Sequence, residues 1–167
     1  MTLRDLNSGA TEHVTTFLAD TLFSSALAAI IVRERPFAGV DQLCERAARA
    51  WTELSPEEQR ASFDAHPRIG DVPEVRRRPH SRTEQRGIYS ASPEIIGALA
   101  VLNRQYEERF GFRFLVFASG KSADEMLAAL TTRLQNSPED EFRIAAHEKR
   151  RINEFRLRQA VVEGAYR

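Results

Sequence analysis

The feature that most restricts what this chain can fold into is a repeated helix-start signal. Ser55, Ser122 and Ser137 are each followed three residues later by an acid, Glu58, Glu125 and Asp140, and Ser92-Pro93-Glu94 opens in the same way. A hydroxyl so placed accepts a bond from helix N–H groups that lack an intrahelical partner, and the acid faces the positive end of the helix dipole. Proline at the first helical position, as at Pro56, Pro93 and Pro138, gives up a donor that has no partner there. Apolar spacing agrees with these starts. Val40, Leu43, Cys44, Ala47, Ala50 and Trp51 follow a helical period, as do Ile95, Leu99, Leu102, Tyr106 and Phe110, so both runs read as amphipathic helices. Further helices are expected from about Thr11 to Leu18 and from Ser25 to Arg33. Gly111, Asn136 and Gly164 stand where helices would end.

Only Phe112 to Phe117 has strand-like composition, and no second run stands ready to pair with it. The expected fold is therefore all-α: a single compact multi-helix domain over residues 1–167, with one extended connector around 112–118. Backbone N–H and C=O groups in such a connector must find partners in protein, water or ligand, which makes it a candidate binding edge.

Composition narrows the function classes. A chain of 167 residues with 42% hydrophobic side chains can bury one sizeable core. Its 24 basic and 24 acidic residues balance, so it does not hold nucleic acid or an anionic membrane by bulk charge. Only Lys121 and Lys149 are lysines; the remaining basic residues are arginine, a bias that high-GC coding also produces. A lone Cys44 leaves no internal disulfide, and no His or Cys pair has metal-ligand spacing, so no metal site is expected. The longest apolar stretch, Ala26 to Val32, is too short to span a bilayer, and neither a signal peptide nor a peroxisomal tripeptide at Ala165-Tyr166-Arg167 is visible. The expectation is a cytoplasmic protein.

One region breaks the helical pattern. Between Pro67 and Gly87 three prolines intervene and Arg68, Arg76, Arg77, Arg78, His80, Arg82 and Arg86 gather, so an irregular segment, functional or disordered, is expected. His66 precedes Pro67 at the exit of the helix begun at Ser55, which restricts its backbone and presents an imidazole that titrates near neutrality. It reads either as a general acid/base or as a residue facing the helix C-terminal dipole. Ser81-Arg82-Thr83-Glu84 fits a capping box, in which case Glu84 only bonds back to the backbone. Alternatively, Glu84 and Gln85 face a ligand beside His66. The residues alone take the argument to an all-helical domain with a polar cluster round His66 and Glu84.

Taken in series, Arg35-Pro36-Phe37, Ala65-His66-Pro67-Arg68-Ile69-Gly70, Ser81-x-x-Glu84-Gln85-x-x-Gly87, Leu102-Asn103-x-x-Tyr106-x-x-x-Phe110-Gly111-Phe112-x-Phe114 and Ile152-x-x-x-Arg156-Leu157 resemble one family across nearly the whole chain. That family is 2-oxo-4-hydroxy-4-carboxy-5-ureidoimidazoline (OHCU) decarboxylase, of urate degradation. The resemblance implies an all-α, cofactor-free enzyme, commonly a homodimer, that converts OHCU to (S)-allantoin and carbon dioxide. By motif position it implies His66 as the catalytic residue and Glu84 as its acidic partner. The substrate contacts it implies fall on Pro67, on Ser81, Arg82, Thr83, Glu84 and Gln85, on Val116, Phe117, Ala118, Ser119 and Gly120, and on Arg156 for the carboxylate. A non-catalytic binding module with this fold, or a hydrolase of a neighbouring ureido compound, are the competing expectations.

Overall fold

The computed structural model describes residues 1–163 and contains ten α-helices among them, with no β-strand. The all-α expectation holds. The residues fall into two compact units, Met1–Ser62 with the described residues from Arg150 onward, and Phe63–Lys149.

The first unit holds α1 (Leu3–Ser8), α2 (Thr11–Leu22), α3 (Ser25–Arg33), α4 (Val40–Glu53), most of α5 (Pro56–Asp64) and the later part of α10 (Pro138–Ala160). The buried face of α4 is Val40, Leu43, Cys44, Ala47, Ala50 and Trp51, the stripe that its spacing predicts. With Leu6, Leu18, Leu22, Leu27 and Ile31 it forms an aliphatic core closed to solvent. Burial pushes the Cys44 thiol up to about 11 against the opposing pull of Arg158, which keeps it protonated and unreactive at neutral pH.

The second unit holds α6 (Val72–Arg76), α7 (Pro79–Glu84), a 3-10 turn at Ile88–Ser90, α8 (Pro93–Phe110), α9 (Ala123–Arg133) and the first part of α10. Its core is aromatic. Tyr106 meets Phe110 at 4.7 Å and Phe114 at 5.2 Å between ring centroids, and Phe63 meets Phe112 at 5.3 Å, tilted or edge-on as ring quadrupoles prefer. One ionic group lies within this core. Glu141 is fully buried, accepts from Arg133 Nε at 2.8 Å and from Asn136 Nδ2 at 2.7 Å, and also takes the Tyr106 hydroxyl. Every contact the carboxylate needs is thereby supplied from within the fold. Burial first, then the Glu141 hydrogen bond, pushes the Tyr106 phenol far above its usual range, against the opposing pull of Arg133.

The four Ser-led helix starts are all observed. Ser92 Oγ accepts from Ile95 N–H at 3.4 Å, Ser55 and Ser122 form reciprocal bonds with Glu58 and Glu125, and Ser137 Oγ accepts from Asp140 N–H at 3.1 Å. Gly111 ends α8 with φ 75°, the left-handed C-cap that favours glycine. Two expectations change. The Pro67–Gly87 stretch contains two short helices, because Asp71 caps α6 and Pro79 supplies the first turn of α7. Asn136 ends no helix: α9 already stops at Arg133 with Leu134 as its cap, and the Asn136 amide is drawn to Glu141 instead. The expected end at Gly164 lies outside the described residues, and α10 itself ends at Ala160.

Candidate functional site

The candidate site is assembled within the second unit from three short segments that the fold ties to one another. His66 lies two residues beyond the end of α5, and its N–H donates to Phe63 O at 3.1 Å, closing a tight turn before Pro67. Its side chain is only 5% exposed, and Pro67 beside it is buried. Arg113, on the connector, donates from its guanidinium to the His66 carbonyl and stands 3.3 Å from Glu74, while its own N–H donates to Asp64 at 2.9 Å. The imidazole is therefore carried on a turn held from both sides.

The second segment is α7 and the turn after it. The capping-box reading of Ser81 and Glu84 is overturned: Arg78 is the N-cap, so Ser81 lies inside the helix and Glu84 at its last position. Both face inward, Ser81 at 1% and Glu84 at 8% exposure, whereas Arg82 and Thr83 on the opposite face are exposed. Ser81 Oγ is enclosed with no hydrogen-bond partner. A buried unsatisfied hydroxyl costs stability, so its retention calls for an explanation beyond folding. Gln85 Oε1 accepts from Gly70 N–H at 3.2 Å, tying the end of α7 to the turn that follows His66 and Pro67. That oxygen is consequently committed to the scaffold, and the Gln85 carboxamide offers its NH2 end for other use.

The third segment is the connector's end. Ala118 O accepts from Lys121 N–H at 3.0 Å, with Gly120 at φ 81°, as the third residue of a type II turn requires. Gly87 pairs with Ser122 in an isolated parallel bridge. A Cβ at Gly87 would stand 2.1 Å from Lys121 O, so only glycine allows this close approach. Val116 and Ala118 are buried, Phe117 and Ser119 half-buried and Gly120 exposed.

Thus His66, Pro67, Ser81, Glu84, Gln85 and the Val116–Gly120 segment occur in one unit on mutually bonded segments. Arg156 lies in the first unit, on α10, where Nη1 donates to Thr21 O at 3.1 Å and the guanidinium covers the Phe23 ring at 4.2 Å. Sequence reasoning left Asn103 and Arg113 without individual roles. Asn103 is buried on the apolar stripe Leu99, Asn103, Tyr106 and Phe110, and its Nδ2 donates to Ile69 O at 2.9 Å, fixing the same turn from α8. An amide at a stripe position is the signal that could have singled it out, since a polar group placed there must find a buried partner. Arg113 carried no such signal among so many arginines.

No group of three His, Cys, Asp or Glu side chains suited to a metal ion occurs among the described residues. No described helix is long and apolar enough to cross a membrane.

Compared with known proteins, residues 7–158 match the family described as OHCU decarboxylase. The chain belongs to the OHCU decarboxylase family. It is 33% identical over 123 residues to the 2-oxo-4-hydroxy-4-carboxy-5-ureidoimidazoline decarboxylase of Haloferax volcanii, covering 74% of this chain and 73% of that one. It is 27% identical over 130 residues to a uric acid degradation bifunctional protein of a Bacillus species; there the match spans 78% of this chain but 26% of the longer protein. A crystal structure of OHCU decarboxylase in the presence of (S)-allantoin superimposes with a TM-score of 0.77 at 29% identity, covering 90% of this chain and 97% of that one.

Proposed function

We propose that this protein decarboxylates OHCU to (S)-allantoin and carbon dioxide in urate degradation, with His66 as the acid/base. The observation that carries the reading is the family match, together with the inward-facing Ser81 and Glu84 on a helix bonded through Gln85 to the His66 turn.

The reaction is a loss of carbon dioxide from the hydroxyl-bearing ring carbon. The electron pair of the breaking C–C bond moves into the substrate's own ring C=N, whose nitrogen takes up a proton, so the substrate supplies its electron sink and the reading calls on no cofactor. The 4-hydroxyl then gives up its proton to become a carbonyl, and the ureido-bearing carbon takes one up. His66 moves one of these protons, accepting from the hydroxyl or delivering to carbon. Delivery from one face makes the product (S) rather than racemic. Glu84 orients the imidazole or binds ureido N–H groups, and backbone groups of Val116 to Gly120, with Ser81, Gln85 and Pro67, hold the ring in place. Arg82, Thr83 and Arg156 stay within the proposed substrate set; Arg156 would answer the substrate carboxylate. The one-domain organisation, a homodimer and a cytoplasmic location complete the proposal, the oligomer being testable by sedimentation.

The test follows allantoin by circular dichroism while urate is oxidised and hydrolysed in situ. Wild type is expected to give one enantiomer rapidly. His66→Asn, with its melting temperature retained, is expected to lose on the order of a hundredfold or more in kcat, the usual worth of a positioned acid/base. Slow, optically inactive product with wild type would overturn the decarboxylase and favour a non-catalytic binding module.

A further inference from the structure

In an extended chain, successive residues turn their N–H and C=O groups to opposite sides. Along the connector the odd-numbered side carries bonds to side chains from three helices. Arg113 N–H donates to Asp64 at 2.9 Å, Leu115 C=O accepts from Arg133, and Phe117 N–H donates to Glu148 Oε2 at 2.6 Å. The even-numbered side differs: the N–H groups of Val116 and Ala118 and the C=O of Val116 meet no partner within the protein among the described residues, although both residues are buried. At Phe117 the connector is thus bonded to the scaffold through Glu148, while the flanking N–H groups of Val116 and Ala118 stay open.

We propose that Glu148 is a positioning residue for the ligand: by holding Phe117 N–H it turns the open Val116–Ala118 edge toward the site. Asp64 and Arg133 act nearer the start of the connector, whereas Glu148 grips the residue between the two open ones. It is 9% exposed, and a carboxylate accepting an N–H at 2.6 Å is a short, charge-assisted bond that resists rotation of the chain about its axis. The inference rests on the decarboxylase reading for the identity of the ligand, and on the connector's geometry for the role of Glu148.

The test compares Glu148→Gln, which loses the charge but keeps an oxygen at the same reach, with Glu148→Asp, which keeps the charge but withdraws it by one methylene. Positioning through the hydrogen bond predicts a KM for OHCU near wild type in Glu148→Gln. In Glu148→Asp it predicts a KM about tenfold higher, the worth of one hydrogen bond, with kcat altered less. Equal KM values in all three proteins would overturn the proposal, as would a KM raised in Glu148→Gln but near wild type in Glu148→Asp, which would assign the effect to charge. Failure of both variants to fold would mark Glu148 as a structural anchor and overturn it too. Hydrogen exchange at the Phe117 amide reads the tether without substrate: it should stay slow in Glu148→Gln and quicken in Glu148→Asp. A wild type inert toward OHCU would sink the decarboxylase reading, and the Phe117 amide would still decide whether Glu148 sets the connector.

Discussion

Ser81-x-x-Glu84 and Ser122-x-x-Glu125 have the same spacing and opposite fates. At Ser122 the pair caps α9, each side chain bonding the other residue's backbone, and both are exposed. At Ser81 the pair is buried and lies inside or at the end of α7, because Arg78 and Pro79 start that helix three residues earlier. The two pairs are also neighbours, since Gly87, just after the first, is bridged to Ser122. The difference teaches that Ser-x-x-Glu is a capping device only where the helix begins at the serine. Where another residue takes the cap, the same spacing puts the pair inside the helix and turns it inward.

The sharpest way to break this comparison is to remove one carboxylate from each pair. Glu84→Gln should lower turnover on the order of a hundredfold with little change in melting temperature, while Glu125→Gln leaves turnover unchanged; equal effects in the allantoin assay would erase the distinction. Next in size is Gly87→Ala. Its methyl would press on Lys121 O, a backbone atom, and drive the α7 turn and the connector apart, so kcat/KM should fall at least tenfold, a displacement that enzymes tolerate poorly.

Smaller effects separate the serines. Ser122→Ala should cost about 1 kcal/mol in urea unfolding, the ordinary value of an N-cap. Ser81→Ala should cost nothing or stabilise slightly, because its hydroxyl has no hydrogen bond to lose, and yet it should weaken substrate binding. The smallest effect is in the acid limb of stability. Hydrogen bonds from the Ser122 backbone and hydroxyl hold the Glu125 carboxyl below its ordinary 4.5. A depressed folded value means that its contribution is complete above about pH 4.5 and disappears as pH falls through that lower value. Melting temperatures of Glu125→Gln should accordingly show a shallower decline below pH 4.5 than wild type.

Helix starts were legible in the sequence because a cap acts over three or four residues, and the α4 stripe because one helix face needs only a period. Ser25–Arg33 and Pro93–Phe110 stand where composition and punctuation place them. The first helix and the short α6 and α7 were not legible, since five or six residues offer too little periodicity to register. For the candidate site, the His66-Pro67 step and the Ser81–Gln85 run named two segments that the fold ties together through Gln85 and Gly70. Neither revealed that Gln85 gives its oxygen to Gly70, that Asn103 fixes Ile69, or that Arg113 braces the His66 carbonyl.

By itself the sequence determined the all-helical architecture, the places where most helices begin, and the family motifs in their order. Tertiary structure decided which of two equal Ser-x-x-Glu pairs is a cap, and which groups of the connector are bonded to Asp64, Arg133 and Glu148. The reason is range: capping and periodicity act within one or two helical turns, whereas each of those choices depends on groups brought together from as many as 49 residues away, as Asp64 is to Arg113.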